Sequence, residues 1–384
     1  MARALARQPG KRAGAPWPIT LKSSNMCWNS RDWLPARFQV LVDWGSAGVF
    51  VRTLRARPRD SRPMAVTARQ HFKRMRGGAN AHLLLGDDEE YYVVKFRNNP
   101  QHPRILVNEL ICSVLLRYLQ IPSPDWAIVN VPQSLIAATP ELVMEAGAET
   151  RRCEAGLHFG SRYPVDPARR AVYDYLPVSL LRLLLNADSF LGIAAFDKWV
   201  SNANGRQAIF FRDRASRWMP LPGRANGGER AGRQVPPRSL VYVVNMIDHG
   251  FAFNAQNWTF TDAPERGLYT RREVYESVTG YDSFEPWLDR IVHCAPEALD
   301  DAYKRVPPEW FGNDWDALEG LLEELHRRRK GVPELLWMAK HDTRDPFPNW
   351  SSRAKYHAAS AAGAPLPGTA GTAEFPRPEG GAHG

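Results

Sequence analysis

Cysteine is scarce in this chain. The four cysteines lie far apart, with no CxxC pair and no Cys/His cluster, at Cys27, Cys112, Cys153 and Cys294. This spacing excludes a disulfide framework and a cysteine-based zinc site. It is typical of a protein of the reducing cytoplasm, and we expect a cytoplasmic location.

Long apolar runs are also missing. The nearest candidate for a membrane span covers residues 180–196, and it is interrupted by Arg182, Asn186 and Asp188. The basic start of the chain is not followed by a continuous apolar segment, so a secretory signal is not expected. The sequence therefore predicts no membrane association.

Positive charge is unevenly distributed. The net charge is +9, but residues 1–76 hold 16 Lys/Arg against 3 Asp/Glu, while the remainder holds 34 against 38. The body of the protein is therefore mildly acidic, and its high pI comes from one end. Because no aromatic platform accompanies these arginines, binding of nucleic acid is not the favoured interpretation.

With 384 residues, the chain is long enough for two lobes and additional tails. Residues 1–35 form a basic arm that we expect to be disordered, and residues 36–69 form an extension that is partly strand-like. Residues 358–384 are rich in Ala, Gly, Pro and Thr, which predicts a disordered tail.

Between these ends the apolar pattern alternates between strand and helix. Strands are predicted at 81–86, 91–96, 127–131, 208–211 and 241–247. Helices are predicted at 104–120, 176–196, 284–292, 296–304, 315–329 and 332–339. In the helix at 104–120 the leucines and valines predict an apolar face. The central part of the chain is therefore predicted to contain both strands and helices.

The most informative residue is Lys95, which lies in the apolar run Tyr91-Tyr92-Val93-Val94-Lys95-Phe96. The pair Gly77-Gly78 precedes it, and Glu109 follows it on the predicted helix. A glycine turn, a strand lysine and a helix glutamate are the parts that hold nucleotide phosphates in protein kinases. Each has an ordinary alternative: a β-turn, an edge-strand lysine and a surface carboxylate.

Polar residues are dense from Phe196 to Gln207, between an apolar helix and a strand. Asp197 and Asn202 have the Asp-x-x-x-x-Asn interval of a kinase catalytic loop. In such a loop the carboxylate orients the acceptor hydroxyl and the amide holds Mg²⁺. An ordinary helix cap followed by a turn at Asn204-Gly205 is the alternative.

A single carboxylate, Asp248, ends the apolar strand at 241–247 and is followed by His249-Gly250. A buried carboxylate requires a cation or several N–H donors. The position is similar to the metal-binding Asp of the kinase Asp-Phe-Gly motif. A capping Asp in a β-turn is the alternative interpretation.

Taken together, these motifs resemble the HipA-like kinase family over roughly residues 70–340. The resemblance rests on motifs at Gly77-Gly78, Val94-Lys95-Phe96, Asn108-Glu109, Phe196-Asp197-x-Trp199, Ile247-Asp248-His249-Gly250, Pro307–Trp310 and Arg327–Arg329. It implies an α+β, two-lobed kinase-like fold, with a small β-rich N-lobe over about 70–155 and a mainly helical C-lobe over about 156–340. In this comparison residues 158–162 are similar to the connection between the lobes.

The resemblance also assigns candidate residues. Lys95, Glu109 and the glycine pair would bind the phosphates of ATP, and Asp248 would hold Mg²⁺ with help from Asn202 or Gln207. Asp197 would orient the acceptor hydroxyl. In the family, however, the catalytic Asp follows the tryptophan by a few residues, and that position here falls on or near Asn204, an amide.

We therefore expect an ATP- and Mg²⁺-dependent kinase that phosphorylates a hydroxyl, on a protein Ser or Thr. Asn204 keeps open the alternative of a pseudokinase or nucleotide-regulated binding module without turnover. HipA-type kinases often accompany an antitoxin partner, but the sequence identifies none.

Overall fold

The computed structural model describes residues 39–45, 48–54, 65–218, 235–351 and 356. The predicted arm at 1–35 and the predicted tail at 358–384 lie outside the described residues. The chain divides into two compact units, residues 1–59 and 60–384.

The described residues of the first unit form an antiparallel hairpin. Its strands are β1 (Gln39–Gly45) and β2 (Gly48–Leu54), and Gly45 pairs with Gly48 at the turn. Alternating apolar residues had predicted strands in this part of the sequence.

The second unit contains a closed five-stranded barrel. Its strands are β3 (Val66–Arg74), β4 (His82–Gly86), β5 (Tyr91–Lys95), β6 (Trp126–Val131) and β9 (Gly156–Arg162). They follow the order β3-β4-β5-β9-β6, and neighbouring strands are antiparallel except β3 and β6, which are parallel. The predicted hairpin at 81–96 and the strand at 127–131 are confirmed.

In strand β5 the side chains alternate between the two faces of the barrel wall. Tyr92 and Val94 are buried, whereas Tyr91, Val93 and Lys95 are partly exposed, so alternate side chains point to opposite faces. The polar turn before β5 is held by the Tyr92 hydroxyl, which donates to Asp88 Oδ2 at 2.6 Å. Val93 and Lys95 therefore lie on the same face of the strand.

Helix α1 (Ile105–Leu119) is buried on almost every side. Among its residues only Arg117 and Tyr118 are exposed. The sequence predicted one apolar face, so the burial is more complete than expected. Two of its buried polar side chains, Asn108 and Glu109, are tolerated because both are bonded to the segment after residue 247.

The single helix predicted at 176–196 is wrong. The structure has two helices, α3 (Val178–Leu181) and α4 (Ser189–Trp199). The interruption coincides with a contact across the fold, because the Asn186 side chain donates to Val244 O at 2.8 Å and accepts from Val244 N at 2.9 Å. An amide that satisfies a neighbouring strand competes with helix hydrogen bonding.

A second sheet has three antiparallel strands, β10 (Val172–Tyr173), β11 (Gln207–Arg214) and β12 (Leu240–Ile247). Gln207 pairs with Ile247, so the start of β11 lies beside the end of β12. This register places the segment that precedes β11 next to the segment that follows β12.

The remaining elements complete an α+β unit with mixed helix and strand content. A short helix and a small hairpin lie between β6 and β9, as α2 (Gln133–Ala138), β7 (Val143–Ala146) and β8 (Glu149–Arg152). The late helices are α5 (Trp287–Val292), α6 (Pro296–Arg305), α7 (Trp315–Arg328) and α8 (Val332–Lys340). The bounds of these four helices agree with the predicted bounds to within a few residues. Within the described ranges, no helix has the length and apolarity that a bilayer crossing requires.

Candidate active site

Lys95 lies between two carboxylates from distant parts of the chain. Its Nζ donates to Glu109 Oε1 on α1 and, at 2.8 Å, to Asp248 Oδ1 just after β12. The Lys95 side chain is 12% exposed, and those of Glu109 and Asp248 are 3% and 16% exposed. We call these three residues the open cluster, because solvent reaches it.

The electrostatics of the open cluster favour its charged form. Burial alone would lower the pKa of Lys95, but Asp248 and Glu109 outweigh it and raise the pKa. Burial likewise opposes the charge on Asp248, and the Lys95 ammonium overcomes it, so the pKa of Asp248 lies below its ordinary value. The cluster therefore holds the Lys95 ammonium group beside the Asp248 carboxylate at neutral pH.

The backbone after β12 aims the Asp248 carboxylate at Lys95. Asp248 has a φ of +63°, a left-handed conformation that Asp tolerates better than most residues. The next amide, His249 N, donates to Glu109 Oε1 at 3.1 Å. Gly250 leaves no room for a side chain, because a Cβ there would lie 2.6 Å from Ile105 Cγ1. The turn thus packs directly against α1.

Asn108 attaches α1 to this turn. Its Nδ2 donates to the carbonyl oxygens of Gly250 (2.8 Å), Ala252 (3.0 Å) and Ala255 (2.9 Å), and Trp258 Nε1 donates to its Oδ1 at 2.8 Å. The neighbouring Glu109 is thereby held at a fixed distance from the turn. Sequence motifs contained Asn108 but gave no sign of this bracing role.

A second ion pair lies close by and is completely enclosed. Arg206 donates from Nε to Asp197 Oδ2 at 2.7 Å and from Nη2 to Asp197 Oδ1, and both side chains are 0% exposed. We call this pair the sealed pair. Burial raises the pKa of Asp197, and the Arg206 guanidinium opposes that rise.

Arg206 also joins the two candidate loops. Its Nη1 donates to Ile247 O at 2.5 Å and to His249 Nδ1 at 3.3 Å. Burial, with the nearby charges of Arg206 and Lys95, lowers the pKa of His249 well below its ordinary value, so the ring is neutral and Nδ1 accepts. Sequence reasoning missed this role of Arg206, and the only signal was a charged residue entering a buried strand.

The other candidate residues of the predicted catalytic loop differ in burial and in hydrogen bonding. Asn202 is fully buried, donates from Nδ2 to Asp197 Oδ1 at 3.1 Å and accepts from Asn204 N at 3.2 Å. Asn204 is partly exposed, and its Oδ1 accepts from Gly205 N at 3.1 Å. Gln207 is exposed beside the end of β12. The structure therefore brings Asn202 to the sealed pair.

The glycine turn lies between β3 and β4. Gly77 has a φ of +112° and open space around its Cα, and a Cβ on Gly78 would lie 3.2 Å from Gln101 Nε2. Asn99 Nδ2 donates to Ala79 O at 2.6 Å. Because Asn99 and Gln101 follow Lys95 closely in sequence, these contacts tie the turn to the Lys95 end of β5.

A cavity of about 870 Å³ lies at the opposite ends of the same strands. It is bordered by Tyr91 at the start of β5, by Arg162 at the end of β9, by Arg117 on α1 and by Asn245 on β12. None of the open cluster residues lines it. Asn245 is 6% exposed, and its buried Oδ1 has no hydrogen-bond partner in the described part of the chain. Leaving such an oxygen unpaired costs about 1–3 kcal/mol.

The side chains at the open cluster suit a metal that is shared with a ligand. Within the residues that the structure describes, no group of three or more His, Cys, Asp or Glu side chains could enclose an ion. Asp248 Oδ2, however, makes no hydrogen bond among the described residues, whereas Oδ1 accepts from Lys95. Mg²⁺ usually takes one or two carboxylates, with phosphates and water completing its octahedron. This donor set fits that pattern.

Comparison with known proteins gives a family for part of the chain. Residues 70–209 match the family model of HipA-like kinases. No curated protein matches the chain. Similar solved structures include the Helicobacter pylori proinflammatory kinase CtkA, at 12% identity and a TM-score of 0.34, which covers 74% of this chain and 99% of its own. Another is the Golgi casein kinase with Mn/ADP bound, at 10% identity and a TM-score of 0.37, with 73% and 74% covered.

The matched segment contains Lys95, Glu109 and the sealed pair, and it ends early in β11. The resemblance predicted from the motifs is therefore confirmed over residues 70–209, which match the HipA-like kinase family model.

Proposed function

We propose that this protein is a two-lobed kinase that binds ATP with Mg²⁺ and transfers the γ-phosphoryl group to a hydroxyl, on a protein Ser or Thr. The observation that carries the proposal is the open cluster, where one ammonium group lies between a helix carboxylate and a carboxylate after a strand. Phosphoryl transfer depends mainly on positioning and charge neutralisation.

Lys95 is the group that contacts the phosphates. Glu109 and Asp248 hold its ammonium in the cleft, and Glu109 is itself fixed by His249 N. When a triphosphate arrives, Lys95 exchanges part of its bond to Asp248 for a phosphate oxygen, while Glu109 keeps it oriented. The amides of the Gly77-Gly78 turn close over the phosphates, since the glycines allow a near approach.

Asp248 is the residue that would hold Mg²⁺. When bound, the ion supplies charge neutralisation to the phosphates. The Asp248 oxygen that does not accept from Lys95 is available for it. Gln207, exposed beside the end of β12, is the better second ligand, because both ends of the Asn202 amide are hydrogen-bonded.

On the acceptor side, Asn204 is better placed than Asp197. Both Asp197 oxygens accept from Arg206, and the side chain is closed to solvent. Asn204 is partly exposed and can hydrogen-bond an incoming hydroxyl, although an amide cannot take its proton. General-base catalysis contributes typically about 10²–10⁴-fold, so turnover without it is slow.

The enclosure of the Asp197 side chain also favours a second candidate function. If Asp197 stays enclosed, the protein binds ATP without transferring phosphate and acts as a nucleotide-regulated binding module. Both candidates share the open cluster and differ only in the acceptor side.

The test is Mg²⁺-dependent ATP turnover by the purified full chain. We expect Lys95→Met and Asp248→Ala to lower turnover at least about 10²-fold, because each removes charge stabilisation at the phosphates. Lys304→Met, at an exposed position on α6, is the matched control and should match the parent. Equal turnover in all four proteins would refute the assignment of the site.

Asn204→Asp separates the two candidates. In a slow kinase it raises turnover, because it introduces a carboxylate that accepts the hydroxyl proton. ATP binding without turnover in the parent, together with turnover in Asn204→Asp, identifies the binding module.

We also propose a cytoplasmic location. It is supported by Cys112, Cys153 and Cys294, which are buried and form no disulfide. No partner protein is proposed, because no residue pattern in the sequence points to one.

A further inference from the structure

We propose that two asparagines, Asn80 and Asn99, are positioning residues that hold the glycine turn in the shape that receives the phosphates of the nucleotide. The glycine turn runs from Met75 to Ala81, and Met75 N donates to Ala81 O at 2.8 Å across its base. This inference rests on the proposed function, because it concerns the same phosphate site. Neither asparagine belongs to the sequence motifs that predicted the site.

The glycine turn presents backbone N–H groups without partners in the described part of the chain. The amides of residues 76–79 donate to no described residue, and Arg76, Gly77 and Gly78 are exposed. Successive N–H groups of this kind bind phosphate oxygens. A loose loop would have to be ordered on binding, and each ordered residue costs conformational entropy. Side chains that hold the turn beforehand therefore strengthen binding.

Asn80 fastens the turn to the hairpin of β7 and β8. Its side chain is buried, and its Nδ2 donates to Gly78 O at 3.3 Å and to Glu145 O at 3.0 Å. Its Oδ1 accepts from Glu145 N at 3.0 Å and from Arg74 Nη2 at 2.7 Å. Two donors and two acceptor positions are all that an amide side chain has. Asn80 therefore has no capacity left for a ligand and acts through the turn.

The bond from Asn80 to Gly78 O also fixes the direction of an amide. The C=O of Gly78 and the N–H of Ala79 belong to one planar trans peptide group, so they point in opposite directions. Because the carbonyl points at the buried Asn80 side chain, the Ala79 N–H points away from it. This N–H is one of the four without an acceptor among the described residues. Asn80 thus aims a free donor.

Asn99 fastens the next carbonyl of the turn to the segment that follows Lys95. Its Nδ2 donates to Ala79 O at 2.6 Å, and its Oδ1 accepts from Gln101 N at 3.0 Å. Its backbone N donates at 3.2 Å to the carbonyl oxygen of Phe96, the residue after Lys95. Asn99 is buried, so these bonds are shielded from water. The turn is therefore attached to the Lys95 end of β5 before a nucleotide binds.

The experiment compares ATP with AMP, because the difference between their affinities reports the contacts to the β- and γ-phosphates. Dissociation constants are measured by calorimetry on the full chain with Mg²⁺. Asn80→Gly removes four hydrogen bonds, and glycine accepts the φ of +49° at this position without strain. We expect the ratio of ATP affinity to AMP affinity to fall at least about fivefold, the equivalent of ordering one backbone residue on binding.

A second variant and a matched control accompany Asn80→Gly. Asn99→Ala removes the bond to Ala79 O and should lower the same ratio, so it carries the test if Asn80→Gly does not unfold cooperatively. Asn98→Gly is the control, because Asn98 bonds to Arg152 O at 3.0 Å and Glu154 N at 3.4 Å without contacting the turn. Its ratio should equal that of the parent.

The outcomes separate this inference from the proposed function. A purely structural asparagine would weaken ATP and AMP equally, so an unchanged ratio in a folded variant overturns the positioning role of that residue. An equal fall in Asn98→Gly overturns it for both. In either case a lower ratio in Lys95→Met upholds the phosphate site. A parent ratio of about one that Lys95→Met does not change overturns the proposed function and this inference together.

Discussion

The open cluster and the sealed pair contain the same chemistry, a cation held by carboxylates, yet they differ in what remains available. In the open cluster one Asp248 oxygen makes no hydrogen bond to any residue that the structure describes, and Lys95 keeps some contact with solvent. In the sealed pair every Asp197 oxygen is bonded and both side chains are 0% exposed. The difference teaches that a carboxylate in a kinase-like motif is available to a metal ion or substrate only if its protein partners leave one of its oxygens free.

The sealed pair should contribute most to stability. Arg206→Leu leaves the Asp197 charge buried without its counter-ion, which costs about 3–5 kcal/mol. We expect this loss in the free energy of unfolding, measured by urea denaturation. Arg169→Leu, which removes an exposed partner of Asp166, is the control and should change stability by less than about 1 kcal/mol. Similar losses in the two variants would contradict the distinction between buried and exposed pairs.

A methyl group at Gly267 should also disturb the sealed pair. Gly267 has a φ of +73°, and a Cβ there would overlap the Cβ of Asp197. Gly267→Ala therefore combines backbone strain with overpacking, and we expect a loss of about 2–4 kcal/mol. Gly312→Ala has a similar φ of +65° but open space, so it should show only the strain, about 1 kcal/mol. Thermal unfolding of both variants measures the difference, and equal losses would exclude close packing on Asp197.

Acid should affect the two regions in separate pH ranges. His249, which links the sealed pair to the Asp248 turn, has a pKa lowered by burial, so the unfolded chain binds its proton first. Its contribution is fully present above the unfolded value of 6.5 and is lost as pH falls toward the lower folded value. For Asp248, also with a lowered pKa, the loss begins only below the unfolded value of 3.8.

Stability measured against pH tests this separation. Below pH 6.5 each such histidine should remove up to about 1.4 kcal/mol per pH unit. His82 and His158, whose pKa values burial lowers to about 4 and about 3, contribute in the same direction. His249→Asn should therefore reduce the slope between pH 6.5 and 5 without removing it. An unchanged slope would mean that His249 is protonated in the folded protein.

Compared with the sealed pair, the open cluster should contribute less to the free energy of unfolding and more to nucleotide binding. Lys95→Met leaves Glu109 and Asp248 without their ammonium partner, but solvent reaches the Asp248 side chain at 16% exposure, so we expect a loss below the about 3–5 kcal/mol of Arg206→Leu. A larger loss, measured by the same urea titration, would make Lys95 primarily a structural residue.

The sequence predicted the features that follow from residues adjacent in the chain. The strand of Lys95, the helix of Glu109 and the strand before Asp248 follow from local apolar patterns, and their order along the chain gave the resemblance that the family match confirmed. The sequence could not reveal contacts across the fold. Arg206 becomes the partner of Asp197 only when β11 pairs with β12, and Asn186 interrupts a helix only because Val244 lies beside it.

The central claim is that Lys95 and Asp248 act together on the phosphates of Mg²⁺-bound ATP. The most direct measurement is a double-mutant cycle of ATP affinity, with and without Mg²⁺, using Lys95→Met, Asp248→Asn and the double variant. We expect each single change to weaken Mg²⁺-dependent binding at least about tenfold, with a coupling free energy above about 0.5 kcal/mol. Independent effects, or affinities equal to that of the parent, would contradict the account.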